Sequence, residues 1–410
     1  MLVGRRYRLA LTLAQEQQCG EFGDICRAVW NTALEQRREY RRRDVWMNYV
    51  PQAAELAEAK KDFEWLCAAP SHILQQTLRD LDRACREHGT FKVRWRSKAR
   101  WQPSFRFPDG PRIVVERIGR KWGRVKLPKL GWVRFRWSRP LSGVVRSATL
   151  SRVGRHWFIS FLVENGTVTP EHHSGTVVGI DRGVVVAATT STAEFHDREF
   201  ATATETARYL RLQRKLARQR KGSKNRLKTI QSMGRISGRA VCRRTDFCAW
   251  TANRITARYS KVVLEDLRIR NMTTSAAGTL TEPGHGVAAK AGLNRAILDK
   301  GWHRLELALR TAARTTGTAV VLVNPAHTSQ RCNHCGHVDP KSRHSQAVFE
   351  CTACGHTDHA DVNAAKNIKD AGQAFSACGD LAAGRSGKQE SATSARRKHR
   401  PTSGIGIPRP

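Results

Sequence analysis

Residues 3–13 (VGRRYRLALTL) alternate apolar and polar side chains, which predicts a strand with one solvated or ligand-facing side. Over residues 16–87 the apolar period lengthens. Phe22, Ile25, Cys26, Val29, Trp30, Ala33 and Leu34 recur at three- and four-residue spacings, as do Leu74, Leu78, Leu81, Ala84 and Cys85. This spacing predicts a small helical insert, with Ser71 after Pro70 as one N-cap. Residues 91–163 break into short β-like runs, among them SFRFP, RIVVERIG, WVRFRW and WFISFLV, separated by Gly and Pro. Strands bracketing a helical insert predict a small barrel whose first strand lies at the N-terminus.

From Gly175 the pattern changes. TVVGID predicts a buried strand ending in an acid, VVVAATTS and AEFHD two more strands, and residues 205–259 a long basic helical stretch. KVVLED is a further strand ending in two acids. Residues 293–315 then predict a helix, TAVVLVNP another buried strand, and residues 360–371 a short helix. Apolar strands separated by helices indicate an α/β layer. The last segment is rich in Ser, Gly, Pro and Arg and predicts a disordered basic tail.

Charge then narrows the function. The chain of 410 residues, long enough for two or three domains at about one per ~150 residues, carries 72 Lys and Arg against 35 Asp and Glu, a formal +37. With 40% hydrophobic residues and 11 Trp it can still fold, so the excess charge points to a polyanionic partner. Nucleic acid fits, whereas an anionic membrane surface would call for a basic amphipathic anchor that does not stand out. No stretch approaches the ~18 consecutive apolar residues of a membrane span. The N-terminal apolar run is interrupted by Arg8 and lacks a cleavage site, so it does not read as a secretory signal. Six Trp (Trp95, Trp101, Trp122, Trp132, Trp137 and Trp157) lie in the β-rich region with Arg and Lys interleaved. Most are expected in the barrel core, with a few exposed ones stacking on unpaired bases.

Two clusters carry chemistry. Asp181 ends the first α/β strand, Glu265 ends the strand after the long helix, and Asp361 opens a helix after the last strand. A carboxylate at a buried strand end is costly unless compensated, and three meeting at one sheet edge could hold divalent cations through oxygen, as Mg²⁺ prefers. Two such metals can activate a water and stabilise the leaving oxygen of a phosphodiester. Glu265 is preferred to Asp266 because it comes first off the strand. The second cluster, Cys332-Asn-His-Cys335 followed by Cys351-Thr-Ala-Cys354, has the spacing of a four-thiolate zinc ribbon, with Gly336 and Gly355 after the pairs. One of His334, His337, His344, His356 or His359 could replace a cysteine. Four thiolates leave no open position, so this zinc would be structural. The remaining seven cysteines are scattered, which fits a reduced, intracellular protein.

The order of strands, helices and acids resembles the RuvC subset of the RNase H fold. The stretches VVGIDRG, VVLEDL, NPAHTSQRCNHCGH, CTACGH and HADVNAAKNI resemble the TnpB family, transposon-encoded RNA-guided DNA endonucleases related to the miniature type V CRISPR effectors. CRAVWNTALEQRREY, PSHILQQTLRDLDRA and SFRFPDG extend the likeness through the N-terminal half, to about residues 1–371. An aromatic residue usual before TSQ is His327 here, which implies altered packing near the zinc.

The resemblance implies a multidomain α+β protein. Residues 1–15 and 90–170 would form a wedge-type β-barrel and 16–89 a helical recognition lobe. Residues 171–331 and 355–375 would form a RuvC-like nuclease, 332–354 an inserted zinc ribbon, and 376–410 the basic tail. It further implies Asp181, Glu265 and Asp361 as catalytic Mg²⁺ ligands, Cys332, Cys335, Cys351 and Cys354 as Zn²⁺ ligands, and a guide RNA and double-stranded target DNA as partners. A monomer or dimer per guide RNA, no membrane association, and a prokaryotic cytoplasmic, nucleoid-associated location are expected. A CRISPR RNA as guide, a nuclease-silent RNA-guided binder and a DDE-type transposase remain the alternatives; retention of all three acids argues against the second.

Overall fold

In the computed structural model, which describes residues 1–98, 101–168, 170–171, 175–279, 281–345 and 347–379, the chain forms two units. The first comprises residues 1–169 and 218–234. The alternation at its start becomes β1 (Leu2–Ala10), with Tyr7 and Leu9 inward. A reciprocal cap between Thr12 and Gln15 then starts α1 (Leu13–Arg42). The expected insert follows as α2 (Tyr49–Asp62), α3 (Glu64–Ala68) and α4 (Ser71–His88). Phe22, Cys26, Val29 and Leu34 of α1 and Ile73, Leu78 and Leu81 of α4 share one core. Arg37 is buried between Asp82 (2.8 Å) and Gln52 (2.7 Å). Ser71 does not cap α4: Pro70 holds the N-cap position, its fixed φ of −58° already suited to it, and Ser71 is the first helical residue.

The strands β2 (Ser104–Phe107), β3 (Val114–Arg117), β4 (Trp122–Leu127), β5 (Gly131–Arg136), β6 (Val144–Val153) and β7 (His156–Glu164) complete a seven-stranded sheet in the order β2-β6-β7-β1-β5-β4-β3. β1 is central, antiparallel to both β7 and β5. Tyr7, Phe135 and Phe161 pack with ring centroids 5.1–5.9 Å apart. No ladder joins the edge strands β2 and β3 among the described residues. The tryptophans depart from expectation. Trp157 is buried and Trp137 stacks on Phe135, but Trp95, Trp101, Trp122 and Trp132 are half-buried or exposed. Arginines cover them: Arg134 lies 4.9 Å above Trp122, Arg124 4.3 Å above Trp132, Arg96 5.0 Å above Trp101 and Arg38 5.1 Å above Trp95. The core is already filled by Phe, Leu and Val, so these rings take the Arg-rich face instead.

The second unit comprises residues 170–217 and 235–410. It contains β8 (Val177–Asp181), β9 (Ala188–Thr190), β10 (Phe195–His196), α5 (Ala203–Ala217), most of α6 (Lys224–Thr256), β11 (Lys261–Glu265), α7 (Ile269–Met272), α8 (Val287–Lys300), α9 (Trp302–Thr316), β12 (Ala319–Val323), β13 (Val348–Glu350), β14 (Thr357–His359) and α10 (Ala360–Gly379). The main sheet runs β10-β9-β8-β11-β12, with β8, β11 and β12 parallel and β9 antiparallel to β8. Phe247, Ala252 and Ile255 of α6 and Leu305 and Leu309 of α9 pack with Val178, Ile180, Val262 and Leu264. On the opposite face Val263 meets Ile368 of α10.

Several expected elements are shorter or broken. The long basic helix stops before residues 218–223, where Gly222 has φ +83°, and the helix expected over 293–315 divides at left-handed Gly301. The strand read in VVVAATTS is only Ala188–Thr190, because Gly183 closes against Val186 in a tight turn where an added Cβ would lie 2.7 Å from the Val186 carbonyl. β12 is an edge strand, half-buried except at Val323. α10 continues to Gly379, past the expected end at 371 and into the start of the expected tail. The rest of that tail, 380–410, lies outside the described residues. Among the described residues no helix is long and apolar enough to cross a membrane.

Candidate functional site

Strand register decides which side chains meet. Period-two alternation puts Gly179 and Asp181 on one face of β8, and Val263 and Glu265 on one face of β11. Val263 pairs with Gly179 and packs toward α10, so Glu265 comes beside Asp181 on that face. α10 crosses there so closely that a Cβ on Gly179 would lie 2.0 Å from the Ala365 carbonyl, and one on Gly372 2.4 Å from Val263. Asp361, in the first turn of α10, therefore joins the two strand acids. Burial, with the charges of Glu265 and Asp361, pushes the Asp181 carboxyl up to about 7. Burial also raises Glu265, opposed by the Thr328 hydroxyl, which donates to it at 2.5 Å. Asp266 faces solvent.

Two arginines answer this negative charge. Arg343 Nη2 donates to Asp361 Oδ1 at 2.9 Å. Arg182, 3% exposed, donates to the Glu265 carbonyl and to Glu306 Oε2 (3.3 Å). The Trp302 indole donates to the Gly183 carbonyl at 3.0 Å, fastening the turn after β8 to the start of α9. Thr328, Arg343, Arg182 and Glu306 escape a reading of the sequence, because each gains its meaning from a partner distant along the chain. VVGIDRG did contain Arg182, but only the packed sheet gives it a role.

The cysteines form the second centre. Cys332, Cys335, Cys351 and Cys354 have all four sulfurs within 4.8 Å of one another and are the only such metal-ligating cluster among the described residues. The Cys332–Cys354 and Cys335–Cys351 sulfurs are 3.8 and 3.6 Å apart. Four sulfurs at ~2.3 Å around a tetrahedral ion would be about 3.8 Å apart, so the set fits zinc. The two loops are built alike. Cys332 N donates to His337 O (2.8 Å) and Cys351 N to His356 O (2.9 Å), while Gly336 and Gly355, at φ +78° and +70°, donate back to Cys332 O and Cys351 O. The histidines stay outside the cluster: His334 and His356 stack on each other at 5.3 Å. His327 is exposed and left-handed (φ +63°), and its Nδ1 lies 3.3 Å from Gln330 Oε1.

Asn363 and Asn367, a turn apart on α10, tie the two centres together. Asn363 accepts from Asn333 N (2.9 Å) and donates to Arg331 O (2.8 Å); Asn367 donates to Thr328 O (2.9 Å) and Arg331 O (2.7 Å). The helix that presents Asp361 thus also anchors the first cysteine loop and the threonine bonded to Glu265. Two Asn at i, i+4 inside a helix, poor helix formers on one face, were the available signal.

Three family models match parts of the chain. A family model described as "Cas12f1-like, TNB domain" matches residues 302–368, and one described as "Probable transposase" matches 160–276. A third, described as a helix-turn-helix domain, matches 1–44, where the structure has a strand and one 30-residue helix. The putative RNA-guided DNA endonuclease InsQ of Escherichia coli K12 is 38% identical over 92% of this chain and 94% of its own. The chain belongs to the TnpB family. Another relative, a putative RNA-guided DNA endonuclease of Streptomyces pristinaespiralis, is 33% identical over 92% of this chain and 90% of its own. Among solved structures, a Cas12f1–sgRNA–target DNA complex superposes with a TM-score of 0.56 over 87% of this chain and 82% of that one, at 13% identity. The TnpB chain therefore shares the mixed α/β, multidomain fold of a type V effector.

Proposed function

We propose that this protein is an RNA-guided DNA endonuclease. It would bind a structured guide RNA, recognise a short motif beside the target, and cut both strands of guide-matched DNA at a single RuvC-like site. The observation that carries the reading is the convergence of Asp181, Glu265 and Asp361 on one sheet face, in a chain whose full-length relatives are named RNA-guided DNA endonucleases. Sheet order β10-β9-β8-β11-β12, with one antiparallel strand beside three parallel ones, supports an RNase H-type nuclease. The seven-stranded sheet would serve as the wedge, α1–α4 as the recognition lobe, and residues 332–354 as the zinc ribbon, with action in the cytoplasm of a prokaryote on its DNA.

The donor chemistry supports metal at both centres. Asp181, Glu265 and Asp361 would hold Mg²⁺, which supplies a Lewis acid for activating water and stabilising the leaving oxygen. Burial first, and then the charges of Glu265 and Asp361, raise Asp181, and a bound cation would offset both. Thr328 fixes the Glu265 carboxylate, Arg182 braces the strand end beneath it, and Arg343 holds Asp361 toward the shared space. The four cysteines would hold a structural Zn²⁺. Plasmid cleavage with a cognate guide and Mg²⁺ tests the assignment. Asp181→Ala, Glu265→Ala and Asp361→Ala should each abolish cutting while guide and target binding persist; normal cutting by Asp181→Ala would refute it.

A further inference from the structure

At the β10 edge of the same sheet, on the side covered by α6, lies a cavity of about 600 Å³ walled by the β10 hairpin and α6. Trp250 of α6, at 56% exposure, lines it; Phe195 of β10 lines it too, but pairs with Thr189 opposite Asp181, so its ring turns to the acids' face of the sheet. A large exposed ring lining a concavity on a charged protein calls for a flat partner. The three lining carboxylates are each held by a cation: Glu194 by Arg258, Asp246 by Arg198 (3.3 Å) and Asp197 by Lys300 (2.6 Å). Arg254 lines the same cavity 5.5 Å over the Trp250 ring, with no carboxylate partner among the described residues. His196 closes the floor, 7% exposed, its Nε2 lacking a hydrogen bond. The cavity also touches the site. Phe195 packs edge-on against His359 at 4.9 Å, and His359 Nδ1 accepts from the Asp361 amide.

We propose that this cavity holds an unpaired nucleotide of the DNA strand delivered to the acids. Its base would stack on Trp250 and its phosphate would pair with Arg254, while Phe195 guides the chain round the β10 edge toward His359 and the acids. Stacking suits a strand of any sequence, because every base has a π-face. A duplex end cannot offer a free base to such a pocket, so the site would act after the strands part. The inference rests on the nuclease reading above.

The test uses guide-loaded protein and measures single-turnover cleavage of guide-matched DNA alongside guide affinity and target binding. Trp250→Ala and Arg254→Ala should each slow cleavage about tenfold, in line with the loss of one stacked base, with guide and target affinities unchanged. Trp250→Phe should restore most of the rate. Trp250 is exposed, so its removal leaves the core intact, and Arg254→Ala gives an independent second variant. Parent-rate cleavage by both alanine variants would overturn the proposal. So would loss of guide affinity, which would assign the pocket to RNA, or loss of rate that Phe fails to restore. Asp181→Ala is run in parallel: if it still cuts, the nuclease reading falls and this one with it, whereas an inert Asp181→Ala beside a fully active Trp250→Ala removes the pocket alone.

Discussion

Asp181 bears the clearest mark of a built site, a carboxyl forced up to about 7 by burial and by Glu265 and Asp361. A folded-state value above the unfolded one means the folded protein takes up the proton first. Stability from that proton is present below about pH 4 and is lost as pH rises through 7. Without added Mg²⁺, Asp181→Asn should therefore melt several degrees above the parent at pH 8, and the gap should close on acidification toward pH 4. Thermal melts across that range check it; added Mg²⁺ should raise the parent at pH 8 more than the variant. Asp181 and Glu265 were legible in the sequence because a charged residue ending an apolar strand stands out, and Asp361 because it opens the helix after the cysteine pairs. Arg343 and Thr328 were not, since one lies in a cysteine-flanked loop and the other beside an ordinary turn, and neither shows any pattern until the fold brings Asp361 and Glu265 to it.

Among the elements, α10 does the most positioning, and glycine lets it approach. Gly179→Ala would push a methyl group into the Ala365 carbonyl and Lys369 N, both backbone, so neither can rotate aside. We expect a cost of about 1–3 kcal/mol, typical of overpacking, and slower cleavage, since Asp361 would shift with the helix; denaturant melts and cleavage rates measure the two. The cysteine centre supports α10 from its other side. Cys332→Ser should lose stoichiometric zinc and loosen the Asn333–Asn363 link, so that amide exchange rises in the first turns of α10. Retained zinc with unchanged exchange would contradict that role. Apolar period revealed the strands and most helices, but not where helices break. Gly222 and Gly301 sit inside otherwise helical patterns, and only the tertiary turn demands their positive φ. Trp122 and Trp132 were misjudged for a similar reason, because a ring's hydrophobicity does not reveal that arginines will cover it.

For the molecule as a whole, the formal charge of +37 and the Arg-covered tryptophans suit long, sequence-independent contact with phosphates and bases. Such a surface binds nucleic acid strongly at low salt but carries little information about sequence. No extended base-reading motif stands out in the chain, so target choice must come from elsewhere. In the function proposed above, base pairing with a bound RNA would supply it, leaving the protein to read a few adjacent base pairs. Protein lacking its guide should bind DNA with steep salt dependence yet cut no defined sequence. With Mg²⁺ and two unrelated guides tested against two matching plasmids, each guide should direct double-strand cuts to its own target alone. Mismatches near the flanking motif should suppress cutting more than distant ones, because pairing begins there. A cut that stayed in place when the guide changed would mean the protein itself reads sequence, as a conventional nuclease or transposase does. The acids would then keep their chemistry while the guided reading failed.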